Sequence, residues 1–352
     1  MSKQKSVKKT TWRSPSNIAL VKYWGKYGLQ LPRNASVSFT LDKAFTTTSI
    51  SYYTKETISP DISLSFIFEG QANIKFEDKI RKFLSSIRAY FPFLDELHLD
   101  IISENSFPHS TGIASSASSM SALALCLCQI ERDESGKLSD EDEFYRKASY
   151  IARLGSGSAC RSVYPYIAMW GENSSNKDAS NEYAIPVVEG IHPVFKTFKD
   201  SILIVSDVEK SVSSRAGHAL MEGNPYAKSR YTQANEHAEQ LIQAMKDGDI
   251  ECWGKIVEKE ALTLHALMMA SEPPYILMLP NTLIAIEKIQ RFRAEQKVPL
   301  YFTLDAGPNI HMLYPEVVKD KVMYFIEKEL VSLCVSGRVI HDQTGTGPVK
   351  IA

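Results

Sequence analysis

Between a strand pattern and a helix pattern, the chain reads Pro108-His109-Ser110-Thr111-Gly112-Ile113-Ala114-Ser115-Ser116-Ala117. The residues before it, Leu97 to Ile102, alternate between apolar and polar as a strand does, and helical spacing begins at Ala114. The first N–H groups of a helix have no partner within it, and the helix dipole favours an anion there. Gly112 lets such an anion approach the backbone, and Ser115 and Ser116 add hydroxyl donors. The stretch therefore predicts a phosphate site; a serine-capped helix that packs through small residues is the alternative.

Bulk properties place the chain among ordinary globular proteins. It has 352 residues, which fits two domains, with 44% hydrophobic and 23% charged residues. A formal net charge of -1 gives no global attraction to nucleic acid or to an anionic membrane. No apolar run is long enough to span a bilayer, and no apolar stretch follows the basic N-terminus as in a secretory signal. The cysteines lack metal or disulfide spacing, and Cys126 and Cys128 are expected in a core, so a cytoplasmic location is predicted.

The order of elements predicts an α+β fold in two domains, 1–195 and 196–352, joined by a linker near 185 to 200. Strands are expected at 35 to 53, 63 to 68, 73 to 76, 97 to 102, 201 to 208 and 300 to 304. Helices are expected at 78 to 90, from 114, after a cap at Ser139, at 227 to 246, from a cap at Asp249 to 269, at 281 to 296 and at 315 to 330. Gly248 is the expected C-terminal cap between the two long helices.

A second candidate segment is Asn17-Ile18-Ala19-Leu20-Val21-Lys22-Tyr23-Trp24-Gly25-Lys26. In an extended chain Lys22, Trp24 and Lys26 would share one face, and a lysine is a point-charge partner for phosphate. The alternative is a strand with aromatic core residues and solvated lysines.

Two further segments carry groups suited to anions and proton transfer. In Gly155-Ser156-Gly157-Ser158-Ala159-Cys160-Arg161-Ser162, glycines expose backbone and Arg161 can clamp a carboxylate or phosphate. The alternative is a turn between helices with an exposed arginine. In Asp305-Ala306-Gly307-Pro308-Asn309, an aspartate at a strand end can act as a base or help to hold a metal, or can simply form an Asx turn.

Taken in this order, the four segments resemble the diphosphomevalonate decarboxylase family of the GHMP kinase superfamily. Val212-Ser213-Ser214 and Leu264-His265-Ala266 also fit, so the resemblance spans nearly the whole chain. It implies the GHMP kinase fold, with an N-terminal domain like the second domain of ribosomal protein S5 and a ferredoxin-like C-terminal domain. It also implies an active site in the cleft between them, a homodimer, and a requirement for ATP and Mg2+.

The family resemblance also assigns roles to individual residues. Asp305, Lys22, Arg161 and Asn17 are the expected catalytic residues: Asp305 handles the hydroxyl proton, Lys22 faces the transferring phosphoryl group, and Arg161 and Asn17 hold the substrate carboxylate. The expected substrate-binding residues are Tyr23, Trp24, Lys26, Ser156, Gly157, Ser158, Arg161 and Ser213. ATP is expected on Pro108, Gly112, Ala114, Ser115, Ser116 and Ala117, and Mg2+ on Ser115 and Asp305.

Some positions depart from the family pattern. His109-Ser110-Thr111 stands where small residues are usual, and Arg215-Ala216-Gly217-His218 replaces Thr-x-Gly-Met. Gly345-Thr346-Gly347-Pro348 replaces Gly-Pro-Gly-Pro. Three alternatives stay open: a sister decarboxylase acting on another mevalonate phosphate, a kinase that stops at 3-phosphorylation, and a binding protein of this fold without turnover.

Overall fold

The structure is a computed structural model that describes residues 6–59, 61–107, 115–174, 176–208 and 212–352. Its strands are β1 (Lys8–Val21), β2 (Lys26–Tyr27), β3 (Leu31–Pro32), β4 (Ser36–Thr54), β5 (Ser63–Phe68), β6 (Gln71–Ala72), β7 (Leu97–Asn105), β8 (Ile167–Trp170), β9 (Ala184–Pro186), β10 (Lys199–Leu203), β11 (Tyr301–Thr303), β12 (Ile310–Tyr314), β13 (Val339–Gln343) and β14 (Val349–Lys350). Its α-helices are α1 (Ile74–Ser86), α2 (Ser115–Ser135), α3 (Glu141–Gly155), α4 (Ser214–Ala219), α5 (Ala227–Asp247), α6 (Ile250–Met269), α7 (Pro280–Gln296) and α8 (Lys319–Phe325). A 3-10 helix of seven residues, Gly157–Val163, follows α3.

The first sheet has the order β14-β1-β4-β7-β5-β6. In addition, β8 pairs with the N-terminal part of β4, and β9 pairs with β8. β1 and β4 pair antiparallel along most of their length, whereas β5 and β7 are parallel. α2 packs on β1 and β4, with α3 against it. Cys126 and Cys128 of α2 are fully buried free thiols, which confirms that they serve as core residues.

The second sheet is antiparallel, with the order β11-β12-β10-β13. α6 packs on β11 and also reaches the end of β1, so this helix touches both sheets. The sheets are further joined where the Asp342 carboxylate of β13 accepts the backbone N–H groups of residues 42, 43 and 44 of β4. β14 returns to pair with β1. The division into 1–195 and 196–352 stays a prediction.

Most expected elements are present, and the α+β class is confirmed. Gly248 ends α5 in the left-handed conformation with φ +74°, and the Asp249 side chain caps α6 by accepting from Cys252 N–H. Four details were wrong. The strand expected at 73 to 76 is the start of α1, because the Asn73 side chain accepts the Phe76 N–H as an N-cap. α3 is capped by Asp140 instead of Ser139, since a carboxylate also offsets the helix dipole.

The other two errors concern segment lengths. The strand expected at 201 to 208 runs over Lys199–Leu203, where its antiparallel partners β12 and β13 fix the register. The helix expected at 315 to 330 is divided into a 3-10 turn (Glu316–Val318), α8 and a π-helical turn (Ile326–Leu330). Over the part of the chain that the structure describes, no helix is both long and apolar enough to cross a membrane.

Candidate active site

A cleft of about 440 Å³ gathers side chains from segments that are far apart in the chain. It lies where β1 ends, where α2 and α4 begin, where α3 gives way to the following 3-10 helix, and beside the turn after β11. Its lining includes most of the residues singled out from the sequence: Asn17, Lys22, Tyr23, Trp24, Lys26, Ser115, Ser116, Ser156, Gly157, Ser158, Arg161, Ser213 and Asp305.

A buried lysine and a half-buried aspartate meet at the base of the cleft. Lys22 Nζ lies 3.0 Å from Asp305 Oδ1 and 2.6 Å from the Ala19 carbonyl oxygen. The Lys22 side chain is only 2% exposed, against 31% for Asp305. Burial lowers the pKa of Lys22, and the Asp305 carboxylate opposes that effect. The alternative of a solvated lysine is therefore wrong for Lys22.

The expectation that Lys22, Trp24 and Lys26 share one extended face was also wrong. β1 ends at Val21, and Gly25 turns the chain with φ +94°, a conformation that favours glycine. Lys26 then lies in the separate β2–β3 ribbon. Trp24 lines the cleft but is largely buried against Met221 and Leu264, so most of its ring belongs to a small core beside the cleft.

Arg161 is held by neutral groups. Its guanidinium donates to Ser36 Oγ at 2.6 Å, Ser38 Oγ at 3.1 Å and Asn17 Oδ1 at 3.4 Å, while only 1% of the residue is exposed. Asn17 in turn donates to Ser162 Oγ at 2.7 Å. The alternative of an exposed arginine is wrong, because the 3-10 helix turns Arg161 inward. A buried cation with these neutral partners is suited to an anion from the cleft.

The opposite end of the cleft is lined by hydroxyls and cations. Lys26 Nζ contacts Gln30 Oε1 at 2.8 Å, and burial together with the nearby Arg215 lowers the pKa of Lys26. The Tyr23 ring packs on Trp170 and His218, with centroids 4.6 and 4.3 Å away. The Tyr23 hydroxyl is buried, and it has no hydrogen-bond partner among the residues that the structure describes.

His218, one of the departures from the family pattern, is built into this wall. Its Nδ1 accepts the Gly25 N–H at 3.0 Å, and its ring packs on Trp24 at 4.6 Å as well as on Tyr23. Burial lowers the pKa of His218 to about 3, so the ring is neutral at pH 7. Because Nδ1 accepts, the ring proton lies on Nε2.

The first turn of α2 connects the polar cleft to an apolar cavity. Ser115 and Ser116 line both, and Ser116 Oγ lies 3.2 Å from Ser156 Oγ. The cavity, of about 260 Å³, lies between the first sheet, α1 and α2; its walls include Phe66, Phe68, Phe76, Ile80, Ile101, Met120 and Leu123. Pro108, Gly112 and Ala114 lie outside the described residues, as does His109. Ala117 is fully buried and is not among the described residues that line the cleft or the cavity.

The chemistry of the donor set fits magnesium held mainly by phosphates. Among the described residues there is no cluster of three or more His, Cys, Asp or Glu side chains that would form a metal cage. Mg2+ is commonly bound by one or two protein groups together with substrate phosphates and water. Ser115 and Asp305, both on the cleft, meet that requirement.

Comparison with known proteins covers both halves of the chain. Residues 14–181 match the model of the diphosphomevalonate decarboxylase-like N-terminal domain, and residues 201–348 match that of the mevalonate 5-diphosphate decarboxylase C-terminal domain. The diphosphomevalonate decarboxylase of Candida albicans is 31% identical, with 90% of this chain and 86% of that protein aligned. The Saccharomyces cerevisiae enzyme is 30% identical, over 90% of this chain and 80% of that protein.

Solved structures agree in fold over nearly the whole chain. Mevalonate diphosphate decarboxylase from Staphylococcus aureus gives a TM-score of 0.83 at 29% identity, covering 98% of both chains. A structure named MDDEF in complex with MVAPP, AMPPCP and magnesium gives 0.81 at 28% identity, covering 98% of this chain and 99% of that one. The fold and the cleft define a protein of the GHMP kinase type, as expected. Within that class, the chain belongs to the diphosphomevalonate decarboxylase family.

Several residues of the site were missed in the sequence. Ser36 and Ser38 hold Arg161, and their i, i+2 spacing in a strand was the available signal, because alternate residues share a face. Glu260 was also missed, and its signal was a glutamate at a position of α6 where helical spacing predicts an apolar residue. In the structure it is fully buried. The walls of the apolar cavity gave no signal, since core residues and ligand-lining residues have the same composition.

Proposed function

We propose that this chain catalyses the ATP-dependent decarboxylation of (R)-5-diphosphomevalonate. The products are isopentenyl diphosphate, ADP, phosphate and CO2, which places the reaction in the mevalonate pathway of isoprenoid biosynthesis. The observation that carries the proposal is the buried Lys22–Asp305 pair, which shares one cleft with Arg161 in a chain of this family.

Phosphoryl transfer is the first step. The Asp305 carboxylate accepts the proton of the substrate's 3-hydroxyl as that oxygen bonds to the γ-phosphorus and the bond to ADP breaks. A positioned base of this kind contributes roughly 10²–10⁴ in rate. Lys22 Nζ has three N–H donors, of which two are directed at Ala19 and Asp305. The third is available to the transferring phosphoryl group, where a fixed cation stabilises the developing charge.

Loss of phosphate and CO2 follows. The C3–O bond breaks and its electrons leave with the phosphate, so positive charge develops at C3. The bond between C2 and the carboxylate carbon then supplies the electrons of the new double bond, and CO2 departs. Arg161, with Asn17 beside it, would hold the carboxylate while C3 becomes electron-poor.

The cationic end of the cleft would bind the diphosphate. Tyr23, Lys26, Ser156 and Ser158 supply donors, and Ser213 lies beside Arg215 on the same wall. Gly157 leaves room for the Tyr23 ring, since a Cβ there would lie 2.9 Å from the Tyr23 hydroxyl oxygen. Trp24 would act through its packing on His218.

The nucleotide would lie across the start of α2. Ser115 and Ser116 would face its phosphates, and Pro108, Gly112, Ala114 and Ala117 stay proposed members of the same loop. The apolar cavity next to Ser115 and Ser116 is suited to the adenine ring. Mg2+ would be held by Ser115 and Asp305, and when bound it neutralises charge on the phosphates.

A substrate panel tests the proposal. The protein is supplied with ATP and Mg2+ and, in turn, with mevalonate, its 5-phosphate, its 3,5-bisphosphate and its 5-diphosphate; ADP and CO2 are measured. We expect both products in equal amounts with the 5-diphosphate. ADP without CO2 would indicate a 3-kinase, CO2 from another phosphate would indicate a sister decarboxylase, and no ADP would indicate a binding protein.

Asp305→Asn provides the matched variant. It keeps the size of the side chain and removes the base, so turnover should fall by at least ~10²-fold. Turnover near that of the wild type would remove Asp305 from the mechanism.

We further propose a cytoplasmic homodimer. All five cysteines are free thiols, which suits a reducing compartment. Exposed apolar side chains on α7 and the segment before it, Ile276, Leu279 and Leu283, support a contact between copies. Light scattering after gel filtration tests the dimer, and a monomer mass at micromolar concentration would contradict it.

A further inference from the structure

Behind the cleft, a carboxylate on α6 is fully buried among four donors. Glu260 Oε1 accepts from Arg230 Nη1 at 2.6 Å and lies 2.5 Å from His237 Nδ1. Glu260 Oε2 accepts from Arg230 Nη2 at 2.6 Å and from the backbone N–H of Lys22 at 2.8 Å. Glu260 has no exposed surface, and its carboxylate is absent from the cleft lining. Among the described residues that line the cleft, Lys22 is the one to which Glu260 is hydrogen-bonded.

The carbonyl oxygen of Lys22 is held from the same side. It accepts from Asn34 Nδ2 at 3.0 Å and from Arg230 Nη2 at 3.3 Å. The ladder between β1 and β4 ends at the Val21–Val37 pair, so Lys22 lies just beyond the sheet. Both backbone polar groups of Lys22 are thus satisfied by side chains that come from α5, α6 and the loop before β4.

We propose that Glu260, Arg230 and Asn34 form a Lys22 clamp, in which Glu260 is a positioning residue that fixes the Lys22 ammonium for phosphoryl transfer. The clamp rests on the proposed function, because it acts through the task assigned to Lys22 there. A buried ion pair adds little net stability compared with apolar packing, so we assign the pair to the placement it enforces on Lys22.

The placement matters because Lys22 Nζ already contacts two fixed oxygens. Its distances to Asp305 Oδ1 and the Ala19 carbonyl leave little freedom for the backbone to move without breaking one of them. A displacement of about 1 Å at a catalytic group can cost roughly 10²-fold in rate. Release of the Lys22 N–H should therefore lower kcat and leave the distant diphosphate and adenine contacts intact.

The same helix supplies a matched control. Glu258, two residues earlier in α6, accepts from Arg293 at 2.6 and 3.0 Å and from the Phe302 N–H at 3.3 Å. It is also buried, at 8% exposure, but it fastens α6 to β11 instead of β1. Loss of its charge perturbs a comparable bidentate pair without touching Lys22.

The experiment compares Glu260→Gln, Glu258→Gln and the wild type in the ADP-release assay, with Tm measured for each. We expect both variants to lower Tm. Only Glu260→Gln should lower kcat, by roughly 10- to 100-fold, with KM for ATP and for the diphosphate substrate within about twofold. Asn34→Ala keeps the Glu260–Arg230 pair and removes one bond to Lys22, so it should give a smaller loss of kcat of about 3- to 10-fold.

The outcomes separate the clamp from the proposed function. Equal kcat for the two glutamine variants, or a rise in KM at unchanged kcat, overturns the clamp. If Glu260→Gln does not fold, Asn34→Ala decides, and wild-type kcat in that variant overturns the clamp. A wild type that forms neither ADP nor CO2 overturns the proposed function and the role of the clamp with it, whereas an active wild type with an unaffected Glu260→Gln overturns the clamp alone.

Discussion

Gly157→Ala tests most directly the shape of the cationic end of the cleft, where the diphosphate is proposed to bind. A Cβ at Gly157 would lie 2.9 Å from both Cε1 and the hydroxyl oxygen of Tyr23 and 3.0 Å from the Trp170 ring. Ordinary contacts lie at 3.4–4 Å, so Tyr23 must move by about half an ångström or more. His218 packs on the Tyr23 ring at 4.3 Å, and Trp170 is fully buried, so neither neighbour yields easily. The Tyr23 ring must shift toward the cleft.

Overpacking of this kind costs about 1–3 kcal/mol. A loss of the same size in substrate binding, caused by displacement of Tyr23, would raise KM for the diphosphate substrate roughly 5- to 150-fold, since each 1.4 kcal/mol corresponds to a factor of ten. KM for ATP should stay nearly constant. Steady-state ADP release with each substrate varied in turn provides the measurement.

Gly155→Ala is the control for this prediction. A Cβ there would clash with the terminal methyl of Met120 and lie 3.2 Å from both Met120 Cγ and Phe83 Cε2, so the flexible Met120 side chain must shift. Neither Tyr23 nor Trp170 is among these neighbours, so KM for the diphosphate substrate should remain within about twofold of the wild type. If Gly157→Ala leaves KM for the diphosphate substrate as unchanged as Gly155→Ala does, the argument that Gly157 makes room for Tyr23 is refuted.

Three further predictions concern stability and the nucleotide. The pKa of His218 is about 3 in the folded chain, against 6.5 ordinarily. Between those pH values the unfolded chain binds a proton at His218 and the folded chain does not, so the free energy of unfolding decreases as the pH is lowered. At pH 5 this loss is about 2 kcal/mol. His218→Met should therefore show a smaller drop in Tm between pH 7 and pH 5 than the wild type, and an equal drop would contradict the neutral ring. Ile80→Trp should fill the apolar cavity and raise KM for ATP about tenfold or more without changing KM for the other substrate; equal effects on both would argue against an adenine site. Asp342→Asn should lower the midpoint of urea unfolding by the equivalent of about 1–3 kcal/mol and leave kcat unchanged, because the Asp342 carboxylate accepts backbone N–H groups that join the two sheets. An unchanged midpoint would show that these hydrogen bonds between the sheets add no stability.

Local signals in the sequence predicted the elements whose causes are themselves local. The Asp249 cap and the Gly248 ending of α5 depend on a few adjacent residues, so they could be placed to the residue. The error at Asn73 has the same origin: the alternating Ile74-Lys75-Phe76 after it suits a strand, and the side-chain cap decides for a helix. The divided helix after Pro315 depends on the packing of Val322, Phe325 and Leu330 against the second sheet, which no local pattern encodes.

The kinds of side chain in the cleft could likewise be predicted from the sequence, but whether each is buried or solvated could not. A lysine, an arginine and an aspartate in family-like segments indicated the chemistry. Local sequence does not decide whether Lys22 and Arg161 are solvated or buried, because burial depends on which distant segments pack over them. Lys22 and Asp305 are separated by 283 positions in the chain, and no pairing rule connects such distant residues.

By itself, then, the sequence determined the family, the order of the motifs and the kinds of group in the cleft, since these depend on residue identity and short spacing. The prediction of a phosphate loop at 108–117 rests on such local features, namely its residue types and a helix start, and α2 does begin at Ser115. The tertiary structure decided which of those groups are desolvated and what holds them. Glu260, His218 and Ser36 contact residues distant in the chain, and these contacts form only once both sheets and α6 are in place.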